Sequence, residues 1–267
     1  MGLSQTEIRE LIVVAERAAR AGGEVVLAAW DQPRAYRHKG SVDLVTETDL
    51  ASEVAIREVL RETGLAILGE EGGAEGGSDE TKGVMWIVDP IDGTTNFAHR
   101  VPHVGVSIGL AVDNEPVAGV LLDPPKNELF IAVDGVSTLN GRVLPRLEFV
   151  PMRDALLTTG YPYDRFTNPD NNTDLTEAFV MRTQCIRRFG AASLDLAWVA
   201  AGRLDGYWER GLKPWDVAAG LALLHGVGGE ARDYRGERYT MGEPSLVAGH
   251  PEMVWAMLAV IAEVRGR

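Results

Sequence analysis

The chain has 267 residues, 45% of them hydrophobic and 24% charged, a balance that excludes a disordered or fibrous protein. Lys and Arg total 26 against 39 Asp and Glu, a formal net charge of −13. That charge argues against a general binder of nucleic-acid backbones or anionic membranes, and the one cysteine, Cys185, excludes an intramolecular disulfide and a cysteine-rich zinc site.

No basic start followed by an apolar run marks a leader, and no stretch reaches the roughly 18 apolar residues of a membrane span. The expectation is a cytoplasmic enzyme or binding protein. Ser4 and Glu7 have capping-box spacing, and Ile8, Leu11, Ile12, Ala15, Ala18 and Ala19 recur at helical intervals, which predicts a first helix. Gly22 and Gly23 are read as a kink or relief point. A second helix is expected on Leu50, Val54, Ile56, Val59 and Leu60. Leu65–Leu68 reads as a short strand, and the glycines at 72, 73, 76 and 77 as a mobile loop. Val84–Val88 is another strand, followed by an antiparallel meander up to Val133. Beyond it, strand patterns at Ala155–Thr159, Cys185–Phe189 and Gly206–Glu209 alternate with helix patterns at Ser193–Ala201, Val217–His225 and Pro251–Val264. The expected class is α/β with helices layered between sheets. We expect one compact unit over 1–267, with an α+β half over about 1–145 and an α/β half over about 146–267.

Acidic residues gather at the predicted strand ends, where loops converge into sites in α/β proteins. Glu70 and Glu71 follow one strand, Asp89 and Asp92 the next, and Asp216 precedes an apolar helix. Pro90 stiffens the turn between the two aspartates. Gly93 allows close backbone approach, and Thr94 and Thr95 add hydroxyls beside a helix start suited to an anion. Like charges at about 4 Å repel by on the order of 4 kcal/mol at an effective dielectric of 20. Such a cluster calls for protonation or for a hard cation, Mg²⁺ or Mn²⁺ rather than zinc. Asp216 also has the position of a helix cap, and Asp49 that of a capping-box partner of Thr46. Glu209 has Arg210 and Lys213 as alternative surface partners. His99, His103 and the tryptophans read as structural.

The run Trp86-Ile87-Val88-Asp89-Pro90-Ile91-Asp92-Gly93-Thr94-Thr95-Asn96-Phe97 resembles the signature of the inositol monophosphatase family. So do Gly69-Glu70-Glu71, Trp215-Asp216-Val217-Ala218-Ala219-Gly220 and Asp43-Leu44-Val45-Thr46-Glu47-Thr48-Asp49. All four motifs stand in the family's order. The resemblance implies a five-layer α-β-α-β-α sandwich and Mg²⁺-dependent hydrolysis of a small phosphate monoester by water attacking in line. Myo-inositol monophosphate is the expected substrate. Glu70, Asp89, the Ile91 carbonyl, Asp92 and Asp216 would share two or three Mg²⁺ ions, with Mn²⁺ as a substitute. Thr94, aided by Glu70 and Asp49, would orient the attacking water. The Gly93, Thr94 and Thr95 backbone would hold phosphate. Gly190, Ala191, Ala192 and Glu209, with Asp92 and Asp216, would face the substrate alcohol. Lys39 and Glu71 are further site candidates. The resemblance also implies a homodimer and inhibition by lithium, while the acidic charge argues against a direct nucleic-acid partner. Fructose 1,6-bisphosphate, histidinol phosphate or another polyol phosphate is the alternative substrate. An interaction protein of transcription or ribosome assembly is the alternative of another class.

Overall fold

The computed structural model describes residues 3–32, 36–38, 44–78 and 81–266. The first helix, α1 (Gln5–Ala28), starts at the expected capping box, with Ser4 Oγ accepting from the Glu7 amide. It runs unbroken through Gly22 and Gly23. Those glycines are contact points instead: a Cβ at Gly22 would lie 2.8 Å from Ile56, and one at Gly23 2.5 Å from Leu122. Strands β1 (Tyr36–His38) and β2 (Leu44–Thr46) form a small antiparallel pair. They lead into α2 (Glu47–Leu60).

The inner face of α2 corrects the apolar pattern read from the sequence. Leu50 and Val54 are exposed, while Asp49, Ser52, Glu53, Ile56, Arg57 and Leu60 are buried. This helix lies against the site, and its inward polar groups satisfy backbone atoms of the neighbouring turns.

A large sheet follows: β3 (Ala66–Gly69), β4 (Gly73–Glu75), β5 (Val84–Asp92), β6 (Gly105–Val112), β7 (Glu115–Asp123), β8 (Glu128–Val133), β9 (Val136–Leu139) and β10 (Arg142–Val143). Between β5 and β6 lies the short helix α3 (Thr94–His99). The strand order is β10-β9-β8-β7-β6-β5-β3-β4, with β3 and β5 parallel and the remaining pairs antiparallel. The glycine-rich segment expected as a loop thus contains an edge strand, held because Gly69 and Gly73 pair across the turn. β5 also runs past Val88 into the aspartates. Asp89 pairs with Ser107 and Asp92 with Gly105, so one extra residue bulges between them. Pro90 has no N–H to give the ladder, and a bulge accommodates it while re-aiming the adjacent side chains.

The second sheet comprises β11 (Leu156–Thr159), β12 (Cys185–Arg187), β13 (Gly206–Arg210), β14 (Glu230–Arg232) and β15 (Ser245–Gly249) in the order β12-β11-β13-β15-β14. Helices α4 (Thr173–Val180), α5 (Ala192–Ala200), α6 (Pro214–Gly226) and α7 (Pro251–Arg265) complete the chain. α4, β14 and β15 were not among the predicted elements.

Four apolar clusters define the layers. One joins α1 and α2 to the large sheet, two lie between the sheets around α5 and α6, and one joins the outer face of the small sheet to α4 and α7. The order is therefore α1α2, sheet, α5α6, sheet, α4α7, the expected five-layer sandwich. Among the described residues, no helix is long and apolar enough to cross a membrane.

Candidate active site

The site lies where the end of β5, the starts of α2, α3, α5 and α6, and the turn after β3 meet. Asp89 and Asp92, both buried, come from the bulged end of β5. Asp89 Oδ1 accepts from the Ile91 amide at 3.0 Å, which closes the bulge. Ser52 of α2 supports it from below by donating to the Pro90 carbonyl at 3.0 Å. Gly93 then turns the chain with φ +90°, and a Cβ there would lie 3.1 Å from the His103 carbonyl and 3.2 Å from Ala191. α3 begins at once, at Thr94. Its first N–H groups have no partner within the helix.

Asp49 closes the expected capping box and also reaches Thr94. One oxygen closes the capping box of α2 by accepting from the amide and hydroxyl of Thr46. The other lies 2.8 Å from Thr94 Oγ1, which is also 3.1 Å from the Ile91 carbonyl. Two acceptors therefore compete for the one Thr94 proton, and the lone pairs of the hydroxyl are left for another donor. Asp216 is likewise a cap: it sits in the first turn of α6, accepts from the Lys213 amide at 2.7 Å and lines the adjoining cavity.

Glu70 and Glu71 are half-buried on the turn after β3, and the Glu70 amide donates to the Val88 carbonyl. This turn rests on residues the sequence reading missed. Glu53 accepts from the amides of Glu71 and Gly72, each at 2.8 Å. Arg57 in turn donates to Glu53 at 2.7 Å and to the Gly73 carbonyl at 2.7 Å. Their i,i+4 spacing on α2 was the available signal. Ser193 was missed as well: its amide (2.7 Å) and hydroxyl (2.5 Å) both donate to Asp92 Oδ2.

Beyond Asp92 and Asp216 opens a cavity whose walls include Tyr161, Arg188, Gly190, Ala191, Ala192 and Glu209. Glu209 pairs with neither Arg210 nor Lys213. It accepts from the buried Tyr207 hydroxyl at 2.5 Å, and Gly160 leaves room for it, since a Cβ there would fall 2.0 Å from its carboxylate. Asn96 ties the two sides together, donating to the carbonyls of His103 and Phe189 at 2.8 Å each. Thr95 is exposed at the start of α3. Lys39, the further candidate, lies outside the described residues, as does Asp43 of the N-terminal motif.

The electrostatics follow from this crowding. Burial pushes the Asp89 carboxyl well above the usual range, and the charges of Glu70, Asp92, Asp216 and Asp49 add to the effect. Burial also raises Asp216, with Asp92 the next cause. Burial raises Asp92 against the pull of its Ser193 donors. Burial lifts Glu209 to about 7, opposed by the Tyr207 hydrogen bond. Ionising such a group of carboxylates requires a compensating cation, and its all-oxygen donors suit Mg²⁺. Among the described residues, no three acidic or imidazole groups converge into a ready-made cage. Asp92 and Asp216 each have one oxygen turned to a protein donor. The donor chemistry fits the cation.

Comparison with known proteins identifies the family and the fold. The model of the inositol monophosphatase family matches residues 7–265. A Pseudomonas aeruginosa protein named Nus factor SuhB is 40% identical over 261 residues, covering 95% of this chain and 96% of that one. An inositol-1-monophosphatase of Synechocystis is 40% identical over 235 residues, 86% of this chain and 81% of that one. The solved inositol monophosphatase from Anabaena superposes with a TM-score of 0.87 at 36% identity, covering 96% and 97% of the two chains. The family is generally Mg²⁺-dependent. With this fold, this carboxylate set and these relatives, the chain belongs to the inositol monophosphatase family and is a phosphoric monoester hydrolase.

Proposed function

We propose that the protein hydrolyses myo-inositol monophosphate to inositol and inorganic phosphate. The observation that carries this reading is the buried Asp89, surrounded by the charges of Glu70, Asp92, Asp216 and Asp49 beside the turn into α3. Glu70, Asp89, the Ile91 carbonyl, Asp92 and Asp216 would hold two or three Mg²⁺ ions, with Mn²⁺ as a substitute. Bound Mg²⁺ supplies Lewis-acid charge compensation for the phosphoryl group and acidifies water.

The chain's own residues do the rest. The backbone N–H groups of Gly93, Thr94 and Thr95 receive the phosphate oxygens. The Thr94 proton is engaged by Asp49 and the Ile91 carbonyl, so its oxygen accepts from the attacking water, with Glu70 beside it. As the water oxygen bonds to phosphorus, the ester P–O bond breaks. The water gives up a proton to Glu70, which passes it to solvent, and the departing alkoxide takes one from solvent. Glu209 reads hydroxyls of the alcohol. With its carboxyl lifted to about 7 by burial, it is partly protonated near neutral pH and both donates and accepts. Gly190, Ala191 and Ala192 shape the wall of that pocket. By the same family likeness the protein is a lithium-sensitive homodimer.

The test is phosphate release from inositol 1-phosphate, fructose 1,6-bisphosphate, histidinol phosphate and an adenosine bisphosphate, with and without Mg²⁺. Inositol 1-phosphate turning over fastest, and only with Mg²⁺, supports the reading. A different preferred compound replaces the substrate but keeps the chemistry. The relative named Nus factor SuhB favours a second role, in contact with a partner of the transcription or ribosome-assembly machinery. The charge of −13 suits a basic protein there better than nucleic acid.

A further inference from the structure

Behind the site lies a buried polar contact that the chemistry above leaves unused. Asp195, on the first turns of α5, and His103, just before β6, are both buried, with Asp195 Oδ1 and His103 Nε2 3.6 Å apart. Among the described residues neither atom has a hydrogen-bond partner, and neither does His103 Nδ1. The other Asp195 oxygen accepts a long bond, 3.3 Å, from Thr158. The imidazole is held by aromatic rings, with centroids of Phe189 at 4.9 Å and Trp198 at 4.8 Å. Buried polar atoms left without partners destabilise a fold, so a fold that places these atoms together gains by pairing them.

The location gives the contact a consequence. Ser193, whose amide and hydroxyl fix Asp92, precedes Asp195 by two residues on the same first turn of α5. On the other side, the His103 carbonyl packs over Gly93 and accepts from Asn96. The Asp195–His103 contact and the Ser193–Asp92 bonds therefore join the same two pieces of chain. We propose that Asp195 and His103 form a neutral hydrogen-bonded pair, the Asp195 carboxyl donating to His103 Nε2, which positions α5 so that Ser193 occupies one oxygen of Asp92 and leaves the other for a cation.

The groups around the pair set its charge state. Burial raises the Asp195 carboxyl and the charge of Asp92 adds to it, against the Thr158 hydrogen bond and the Arg188 charge. Burial lowers the His103 imidazole to about 4, and Lys126 adds to the effect against Asp123 and Asp92. Lys126 and the buried Asp123 pair with each other at 2.6 Å.

The inference rests on the reading of Asp92 as a metal ligand, and its test separates the two. Mn²⁺ binding to the metal-free protein is followed by electron paramagnetic resonance for the wild type and for Asp92→Asn, Asp195→Leu, Asp195→Asn and His103→Phe, with melting curves to confirm folding. Asp195→Asn keeps a neutral donor toward Nε2, whereas Asp195→Leu and His103→Phe remove the bond. The expected result is a loss of Mn²⁺ affinity of about tenfold or more in Asp195→Leu and His103→Phe, in the range that outer partners of metal ligands contribute. Asp195→Asn stays within about threefold of the wild type, as one retained hydrogen bond requires. Equal losses in Asp195→Asn and Asp195→Leu overturn the neutral pair, and unchanged affinity in every folded Asp195 and His103 variant overturns the positioning role. A wild type that binds no Mn²⁺, or binding that Asp92→Asn leaves intact, overturns the metal reading and this inference with it.

Discussion

Thr94 shows how much a single side chain contributes here. Its hydroxyl proton is engaged by Asp49, 2.8 Å away, and by the Ile91 carbonyl, so its oxygen is oriented as an acceptor before any water arrives. Thr94→Val removes that acceptor at nearly constant volume. We expect kcat to fall by about 10²–10⁴, the usual contribution of a positioned proton-transfer group, with Mn²⁺ affinity nearly unchanged. Steady-state kinetics beside a metal titration checks this; a variant with wild-type kcat would remove Thr94 from the chemistry. Most such residues were legible in the sequence because they fall in short motifs: Asp89, Asp92 and Thr94 lie within six positions of one another. Ser193 and Tyr207 were not. Ser193 reaches Asp92 across 101 positions, and a serine after Ala192 looks like any helix start. Tyr207 reads as an ordinary strand aromatic until its hydroxyl is seen on Glu209.

Among the elements, α6 best illustrates how packing sets chemistry. It carries Asp216 and lies across β6 and β7, where Gly109 and Gly119 are cross-strand partners. A Cβ at Gly109 would come within 2.5 Å of Ala218 Cβ, and one at Gly119 within 2.8 Å of Ala219 Cα. The paired glycines make a flat patch on which the helix backbone rests. Gly119→Ala should destabilise the protein by about 1–3 kcal/mol, the cost of forcing atoms into a packed interior. It should also weaken Mg²⁺ activation, because the helix that must shift to relieve the clash carries Asp216. Denaturant unfolding and the Mg²⁺ dependence of turnover test both parts; an unperturbed midpoint would show that α6 has slack. α2 was the least legible element for a related reason. Its buried face mixes Ile56 and Leu60 with Asp49, Ser52, Glu53 and Arg57, so the apolar residues alone point to the wrong side. Inside the protein, the Glu53–Arg57 pair is worth its burial because it satisfies the amides of Glu71 and Gly72 and the Gly73 carbonyl. Losing one member of such a pair typically costs about 3–5 kcal/mol.

For the molecule as a whole, the site opposes stability until a cation arrives. Asp89, Asp195, Asp216 and Glu209 all have carboxyls raised by burial. The folded state therefore keeps protons that the unfolded chain releases, and without metal its stability falls as pH rises from the ordinary carboxylate range through about 7, the value reached by Glu209. Mg²⁺ favours the ionised ligands, so it should raise Tm more at pH 8 than at pH 5.5. At a concentration of 100 Kd it adds about 2.7 kcal/mol, which for a chain of this size is roughly 5–10 °C. Calorimetry with and without Mg²⁺ at both pH values measures it; equal shifts would contradict the linkage. The five-layer order was legible mainly through the family motifs. The sequence pattern alone did not show α4, β14 or β15, short segments stabilised by packing between distant layers rather than by local periodicity. The decisive measurement is Mg²⁺-dependent phosphate release from inositol 1-phosphate by the wild type and by Asp92→Asn, both confirmed folded. The buried carboxylate cluster requires turnover by the wild type that vanishes without Mg²⁺ and falls at least about 10²-fold in Asp92→Asn, as expected for removal of a charged ligand at the reacting centre. Full activity in Asp92→Asn, or turnover indifferent to Mg²⁺, would contradict it.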